Sequence, residues 1–132
     1  MLVSLFNGIL PELIKDITIH DAFDRIKQGN SKEIILKARA EKIKDKRDLI
    51  KKDLPGITFS GLFKYRKSDQ LVKSTGFLIL DFDDLENAAE FRGYAFEDDH
   101  VFASWISPSG NGVKVCLVVP QSKDPAEYRR RY

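Results

Sequence analysis

Two carboxylates, Asp81 and Asp83, close an apolar run that opens with a glycine: Gly76-Phe77-Leu78-Ile79-Leu80-Asp81-Phe82-Asp83-Asp84. On a strand, side chains alternate faces, so Asp81 and Asp83 point one way and Phe82 the other. Carboxylates at the end of a buried strand need a cationic partner to offset their desolvation. A divalent cation is one such partner, because hard cations take oxygen ligands. Aspartate at a strand end is also a turn former and a helix cap, so the pair alone leaves both readings open.

The stretch Ser107-Pro108-Ser109-Gly110-Asn111-Gly112-Val113-Lys114 offers a different chemistry. Two glycines let the backbone turn tightly and approach a ligand. Successive N–H groups and two hydroxyls can cradle a phosphate. Lys114 shares a strand face with Cys116 and Val118, a lone cation in an apolar stretch. Its partner would be a nucleotide phosphate or the Asp81/Asp83 pair. The alternative is a hairpin whose glycines serve backbone geometry alone.

These residues need elements to hold them. The run 76–82 is short and apolar and reads as a buried strand. A helix is expected from Leu85 to about Phe96, with Asp84 as its cap. Strands follow at 101–106 and 113–119, joined as an antiparallel hairpin by the loop 107–112. Pro125 opens a last helix, cut off at Tyr132. Ahead of residue 76, a strand is expected at 3–6. A helix capped by Thr18 runs to about Gln28 and stops at Gly29. A second helix is capped by Ser31 and continues through Ile50 with a break near Asp45. A strand is expected at 57–63, then a polar connection, residues 64–69. The fold class is therefore α/β (α+β). An N-terminal strand-helix-helix-strand unit, residues 1–70, joins an incomplete RRM/ferredoxin-like β-α-β-β-α module, residues 71–132. The chain ends where a further strand is expected, so it reads as part of a longer protein.

At 132 residues the chain suits one domain. Its formal charge of +2 hides a strong asymmetry. Residues 32–52 hold nine Lys or Arg against four Asp or Glu, whereas residues 81–100 hold eight Asp or Glu against one Arg. Arg129-Arg130-Arg131 adds a basic run. A basic helix beside an acidic pocket suits a polyanion that meets a metal site, and equally suits a solvated helix face. One cysteine, Cys116, excludes an intramolecular disulfide and a Cys-based zinc site. No signal peptide and no membrane-length apolar run is read, which makes the cytoplasm the expected location.

Taken together, the two motifs resemble the archaeo-eukaryotic primase and primase-polymerase superfamily. It carries Asp-x-Asp on its first strand and a Ser/Thr-Pro-Ser-Gly-Gly-like loop on a hairpin. More narrowly, three stretches resemble the VirE N-terminal-like family of mobile-element proteins: Leu54-Pro55-Gly56-Ile57-Thr58-Phe59-Ser60-Gly61-Leu62-Phe63, the run 76–83, and Ser104-Trp105-Ile106 leading into the loop. The likeness spans roughly residues 50–120. It implies Asp81 and Asp83 as catalytic, metal-binding carboxylates for Mg²⁺ or Mn²⁺. It implies Ser107, Ser109, Gly110, Gly112 and Lys114 as nucleotide-binding residues. Lys114 stands where many members have His, and a lysine cannot share a proton at neutral pH as His does. The superfamily's third carboxylate is expected beyond Tyr132.

Arg66, with Lys64 and Lys67, is a candidate contact for triphosphate or template backbone, or else part of a solvated loop. Trp105 and Tyr65 could stack on bases; Trp105, in an apolar strand, suits the core better. His20 suits a helix surface, and His100 is a minor candidate for metal or phosphate contact. The expected function is metal-dependent nucleotidyl transfer on nucleic acid, DNA ahead of RNA, with a nucleoside triphosphate as substrate and a helicase-like region as possible neighbour in the full-length protein. Two alternatives stand beside it: a non-catalytic nucleic-acid-binding module of the same fold, and a structural partner domain for a helicase.

Overall fold

The computed structural model describes residues 1–131, without the Arg131 side chain. Tyr132, where the last helix was expected to be cut off, lies outside the described residues. The described residues form a mixed α+β structure with three antiparallel sheets and five α-helices.

The C-terminal half follows the sequence closely. Strand β6 (Phe77–Phe82), helix α4 (Ala88–Phe96), strands β7 (Val101–Ile106) and β8 (Val113–Val118), and helix α5 (Pro125–Arg131) come in that order. The sheet order is β6-β8-β7, with both neighbours antiparallel to β8. First, third and second strand side by side is the arrangement of a ferredoxin-like β-α-β-β unit. Gly76 enters β6 at φ 78°, and a Cβ there would sit 2.8 Å from the Val119 carbonyl oxygen. Only glycine fits both constraints.

The N-terminal half is more divided than its sequence suggests. Strand β1 (Leu2–Phe6) is central in a sheet of order β2-β1-β3, with β2 at Leu13–Thr18 and β3 at Gly56–Thr58. Strand β2 was not expected; it is an edge strand with one buried residue, Ile17, so it shows little apolar alternation. The expected strand 57–63 is two strands. After a turn at Phe59 and Ser60, β4 (Gly61–Phe63) leaves the first sheet and pairs with β5 (Leu71–Ser74). Buried Ser4 of β1 ties the two sheets together: its Oγ accepts from the Phe63 N–H at 2.8 Å and donates to the Phe63 carbonyl at 3.1 Å.

Helix α1 (Ile19–Lys27) has the expected Thr18 cap. Thr18 Oγ1 accepts from the Asp21 N–H at 3.0 Å, and Asp21 returns the bond in a capping box. The next helix is two, α2 (Lys32–Ala40) and α3 (Lys44–Lys51). The break comes at residues 41–43, earlier than Asp45, because Glu41 and Ile43 take extended backbone and the Glu41 carboxylate accepts from the Ile43 N–H at 2.8 Å.

Each face of the β6-β8-β7 sheet is covered. Leu80 and Phe82 face α4, in a core with Val113, Val115, Ala88 and Phe91. Phe77, Ile79 and Trp105 face the other way, against Val3, Leu5, Ile17, Ile19 and Ala22 of the N-terminal half.

Candidate functional site

The end of β6 carries its charge where the N-terminal cover runs out. Asp81 lies directly opposite Lys114 of β8, and Lys114 lies directly opposite Trp105 of β7. Directly opposed residues share a face, so these three side chains stand in a row across the sheet. Lys114 Nζ pairs with Asp81 Oδ2. The two side chains keep 29% and 48% exposure, which makes this a surface pair. Such pairs contribute about 0–1 kcal/mol, so an incoming phosphate or cation can compete for either partner.

Asp83 follows β6 and comes up against the hairpin loop. A Cβ placed on Gly112 would lie 2.6 Å from the Phe82 carbonyl oxygen, 2.9 Å from Ser107 Oγ and 3.2 Å from Asp83 Oδ1. The absence of a side chain at Gly112 is what lets the loop close over the strand end. Within the loop, the Ser107 N–H donates to the Gly112 carbonyl at 2.8 Å and the Gly110 N–H to the Ser107 carbonyl at 3.0 Å. Ser107 Oγ and Ser109 Oγ are 2.8 Å apart. Two N–H groups of the expected cradle therefore serve the loop itself. No backbone bond within the loop engages the N–H of Ser109 or Asn111.

The loop is clamped from two further sides. Asn111 Nδ2 donates to Asp84 Oδ1 at 3.1 Å, and the Leu85 N–H donates to the Asn111 carbonyl at 2.8 Å. Asp84 is thus not the cap of α4. It takes a positive φ of 53°, and Asn87 caps the helix by accepting from the Glu90 N–H at 3.1 Å. Aspartate tolerates the left-handed region better than most residues. From the other side, Arg39 of α2 donates through Nη2 to the Ser107 carbonyl at 3.1 Å and through Nε to the Pro108 carbonyl at 3.3 Å. Sequence reasoning missed Arg39. It carries no motif and lies 68 residues from Ser107, so no local pattern could have marked it beyond the basic run that contains it.

The structure therefore brings together Asp81, Asp83, Ser107, Ser109, Gly110, Gly112 and Lys114. Arg66 is engaged elsewhere: its Nη1 donates to the Gly8 carbonyl at 2.6 Å, which pins the turn after β1. Trp105 packs on Phe23 and Phe59 with ring centroids 6.1 and 5.7 Å away, as a core residue does. His100 Nδ1 is 3.0 Å from Asp98 Oδ1 on an exposed turn. Among the described residues no three His, Cys, Asp or Glu side chains come together as a metal cluster. Nor is any described helix long and apolar enough to cross a membrane.

The family model described as "BT4734-like, N-terminal domain" matches residues 49–130, a segment that contains β3 through β8 and the whole loop. No curated protein and no solved structure matches the chain significantly.

Proposed function

The chain belongs to the BT4734-like N-terminal domain family, and on that premise we propose that it is a primase-polymerase-like nucleotidyltransferase domain of the VirE N-terminal-like type. It binds a nucleoside triphosphate with a divalent cation and acts on the nucleic acid of a mobile element, DNA ahead of RNA, in the cytoplasm. One observation carries this reading. Asp81 and Asp83, the Lys114 ammonium and a glycine loop with two hydroxyls meet at one end of one sheet.

The donor set fits a cation such as Mg²⁺ or Mn²⁺. Mg²⁺ keeps several waters and needs only one or two carboxylates plus substrate phosphates, and both aspartates here are exposed. When bound, the cation would supply Lewis-acid stabilisation of the transferring phosphoryl group. The chain's own residues do the rest by placement and charge. Asp81 and Asp83 orient the cation. Lys114, released from Asp81, offsets phosphate charge. The N–H groups of Ser109 and Asn111 donate to phosphate oxygens.

The test is binding of a fluorescent nucleoside triphosphate with Mn²⁺, Mg²⁺ or chelator, followed by primer extension. Asp81→Asn and Asp83→Asn should abolish the metal-dependent part, and Lys114→Met should weaken binding with or without metal. Equal affinity in chelator and in Mn²⁺, unchanged in Asp81→Asn, would sink the proposal.

A second reading is a nucleic-acid-binding module of the same fold without turnover. What favours it is that, among the described residues, no third carboxylate joins Asp81 and Asp83 in a metal-binding group, Asp84 being taken by the Asn111 side chain. It expects nucleic-acid binding that ignores both Asp→Asn changes, and no extension.

A further inference from the structure

Helices α2 and α3 pack on each other and add little to the core. Helix α2 buries only Ala38, and α3 buries no residue at all. Leu36, Ile43 and Leu49 stay 54%, 53% and 60% exposed. Helices normally owe their stability to a buried apolar face. Here that face is small, Ala38 with half-buried Ile34, Ile35 and Ile50, and most of the hairpin's surface is open to solvent.

The surface is basic, although Glu33 and Asp45 are exposed among its lysines. Of the four acids in residues 32–52, Glu41 accepts from the Ile43 N–H and Asp48 pairs with Lys51 at 2.9 Å. Lys32, Lys37, Lys42, Lys44, Lys46 and Lys52 are all exposed. None of these six is ion-paired within the described residues. By contrast, of the eight acids in residues 81–100 only Glu90 lies on α4, where Arg92 balances it, and Asp81, Asp83 and Asp84 stand at the strand end beside the loop. A polyanion near the loop is drawn toward the α2–α3 lysines and away from those three carboxylates.

The hairpin also touches the site. Arg39 holds the Ser107 and Pro108 carbonyls, and its Cδ lies 3.5 Å from where a Gly110 Cβ would be. Those bonds engage Nε and Nη2; the Nη1 group is left to donate. Arg39 therefore stands between the lysine surface and the loop.

We infer that the α2–α3 hairpin is the strand-binding surface of the domain. A single-stranded nucleic acid runs its phosphates along Lys37, Lys42, Lys44 and Lys46 and reaches the Ser107–Gly112 loop at Arg39. The exposed Leu36, Ile43 and Leu49 between the lysines favour a single strand, whose unpaired bases offer apolar faces that a duplex hides. This rests on the nucleotidyltransferase reading only for what the strand does once bound.

The experiment uses the full chain and a fluorescein-labelled 30-nucleotide single strand, the matching duplex, and phosphatidylserine vesicles. The variant is Lys37→Gln/Lys42→Gln/Lys44→Gln/Lys46→Gln. These are exposed positions where substitution leaves stability little changed, and circular dichroism checks the fold. Single-strand affinity should fall at least tenfold. The slope of log affinity against log salt should flatten by about 3, since each phosphate that a lysine neutralises on a single strand adds about 0.7 to it. Mn²⁺-dependent triphosphate binding should stay at the wild-type level. The inference is overturned if the variant binds the single strand as wild type does, if duplex is preferred, or if only vesicles bind and lose affinity. Loss of triphosphate binding in the wild type, with single-strand binding and its lysine dependence intact, would remove the nucleotidyltransferase reading and leave this surface standing.

Discussion

Gly112→Ala should both destabilise the fold and damage the site, and the structure sets the size of the effect. The added methyl would lie 2.6 Å from the Phe82 carbonyl oxygen, well inside contact distance. That oxygen belongs to the backbone of β6 and cannot rotate away. The second neighbour, Ser107 Oγ at 2.9 Å, is held by its bond to Ser109 Oγ. Relief therefore requires β6 and β8 to part at the Phe82–Val113 pair, where Val113 is fully buried. Overpacking of this kind costs about 1–3 kcal/mol. Gly93→Ala is the matched control. Gly93 is exposed in the middle of α4, and a Cβ there meets nothing within 4 Å. Alanine in a helix interior gains about 0.5–1 kcal/mol over glycine. The same one-carbon change should thus move stability in opposite directions at the two positions, a spread of about 1.5–4 kcal/mol. Urea unfolding followed by Trp105 fluorescence measures it. Binding of Mn²⁺ and triphosphate should weaken in Gly112→Ala and be unaffected in Gly93→Ala. A Gly112→Ala protein within about 0.5 kcal/mol of wild type, the range of unremarkable surface changes, with binding intact, would refute the close approach of loop and strand.

Two more outcomes are expected. Cys116 is fully buried, and burial pushes its thiol up to about 12; a disulfide reagent at pH 8 should modify it only as fast as the protein opens, and prompt reaction in native buffer would contradict its placement. The Asp21 carboxyl is held below its ordinary 3.8, chiefly by the Thr18 hydroxyl and then by the Thr18 N–H. A depressed acid contributes stability above its unfolded value and loses it as pH falls through its folded value. The stability gap between wild type and Asp21→Asn should therefore be full at neutral pH and close below pH 3.8; a gap that is constant with pH would mean that the capping box does not use the ionised carboxylate.

What could be read from the sequence was what local patterns determine. Strands β6, β7 and β8 announce themselves by apolar runs between glycine, proline and aspartate, and the hairpin loop fixes which two are neighbours. Thr18 and Gly29 bracket α1 because capping is a local bond. What escaped depends on partners far along the chain. Strand β2 exists because β1 offers it an edge, and its own residues are mostly solvated. Strands β3 and β4 look like one run until their partners, β1 and β5, pull them into different sheets. Asp84 carries the right chemistry for a cap, yet the Asn111 side chain takes its carboxylate and leaves the cap to Asn87. The site was legible in the same proportion. Asp81, Asp83 and the loop could be seen; Arg39, which holds the loop from another element, could not.

The position of the site follows from how far the N-terminal half extends over the sheet. Going along β6, Phe77 and Ile79 lie under residues 3–26 and pack with Val3, Ile19 and Phe23. Asp81 is the next residue on that face, and it is exposed. A carboxylate two residues earlier, at half-buried Ile79, would lose part of its hydration against this cover. The cover also explains why residues outside the matched segment 49–130 belong to the site's architecture. Without Val3, Leu5, Ile17, Ile19 and Ala22, the sheet that carries Asp81 and Lys114 would have one bare apolar face. Burying that face also helps to fix the strand register, and the cross-strand pairing of Asp81 with Lys114 is itself a register property. A slip of β6 by one residue would send Asp81 toward α4 and part it from Lys114. The N-terminal half thus sets the chemistry at the strand end without contributing either carboxylate: it fixes the register, defines where the charge can stand, and through Arg39 holds the loop beside it.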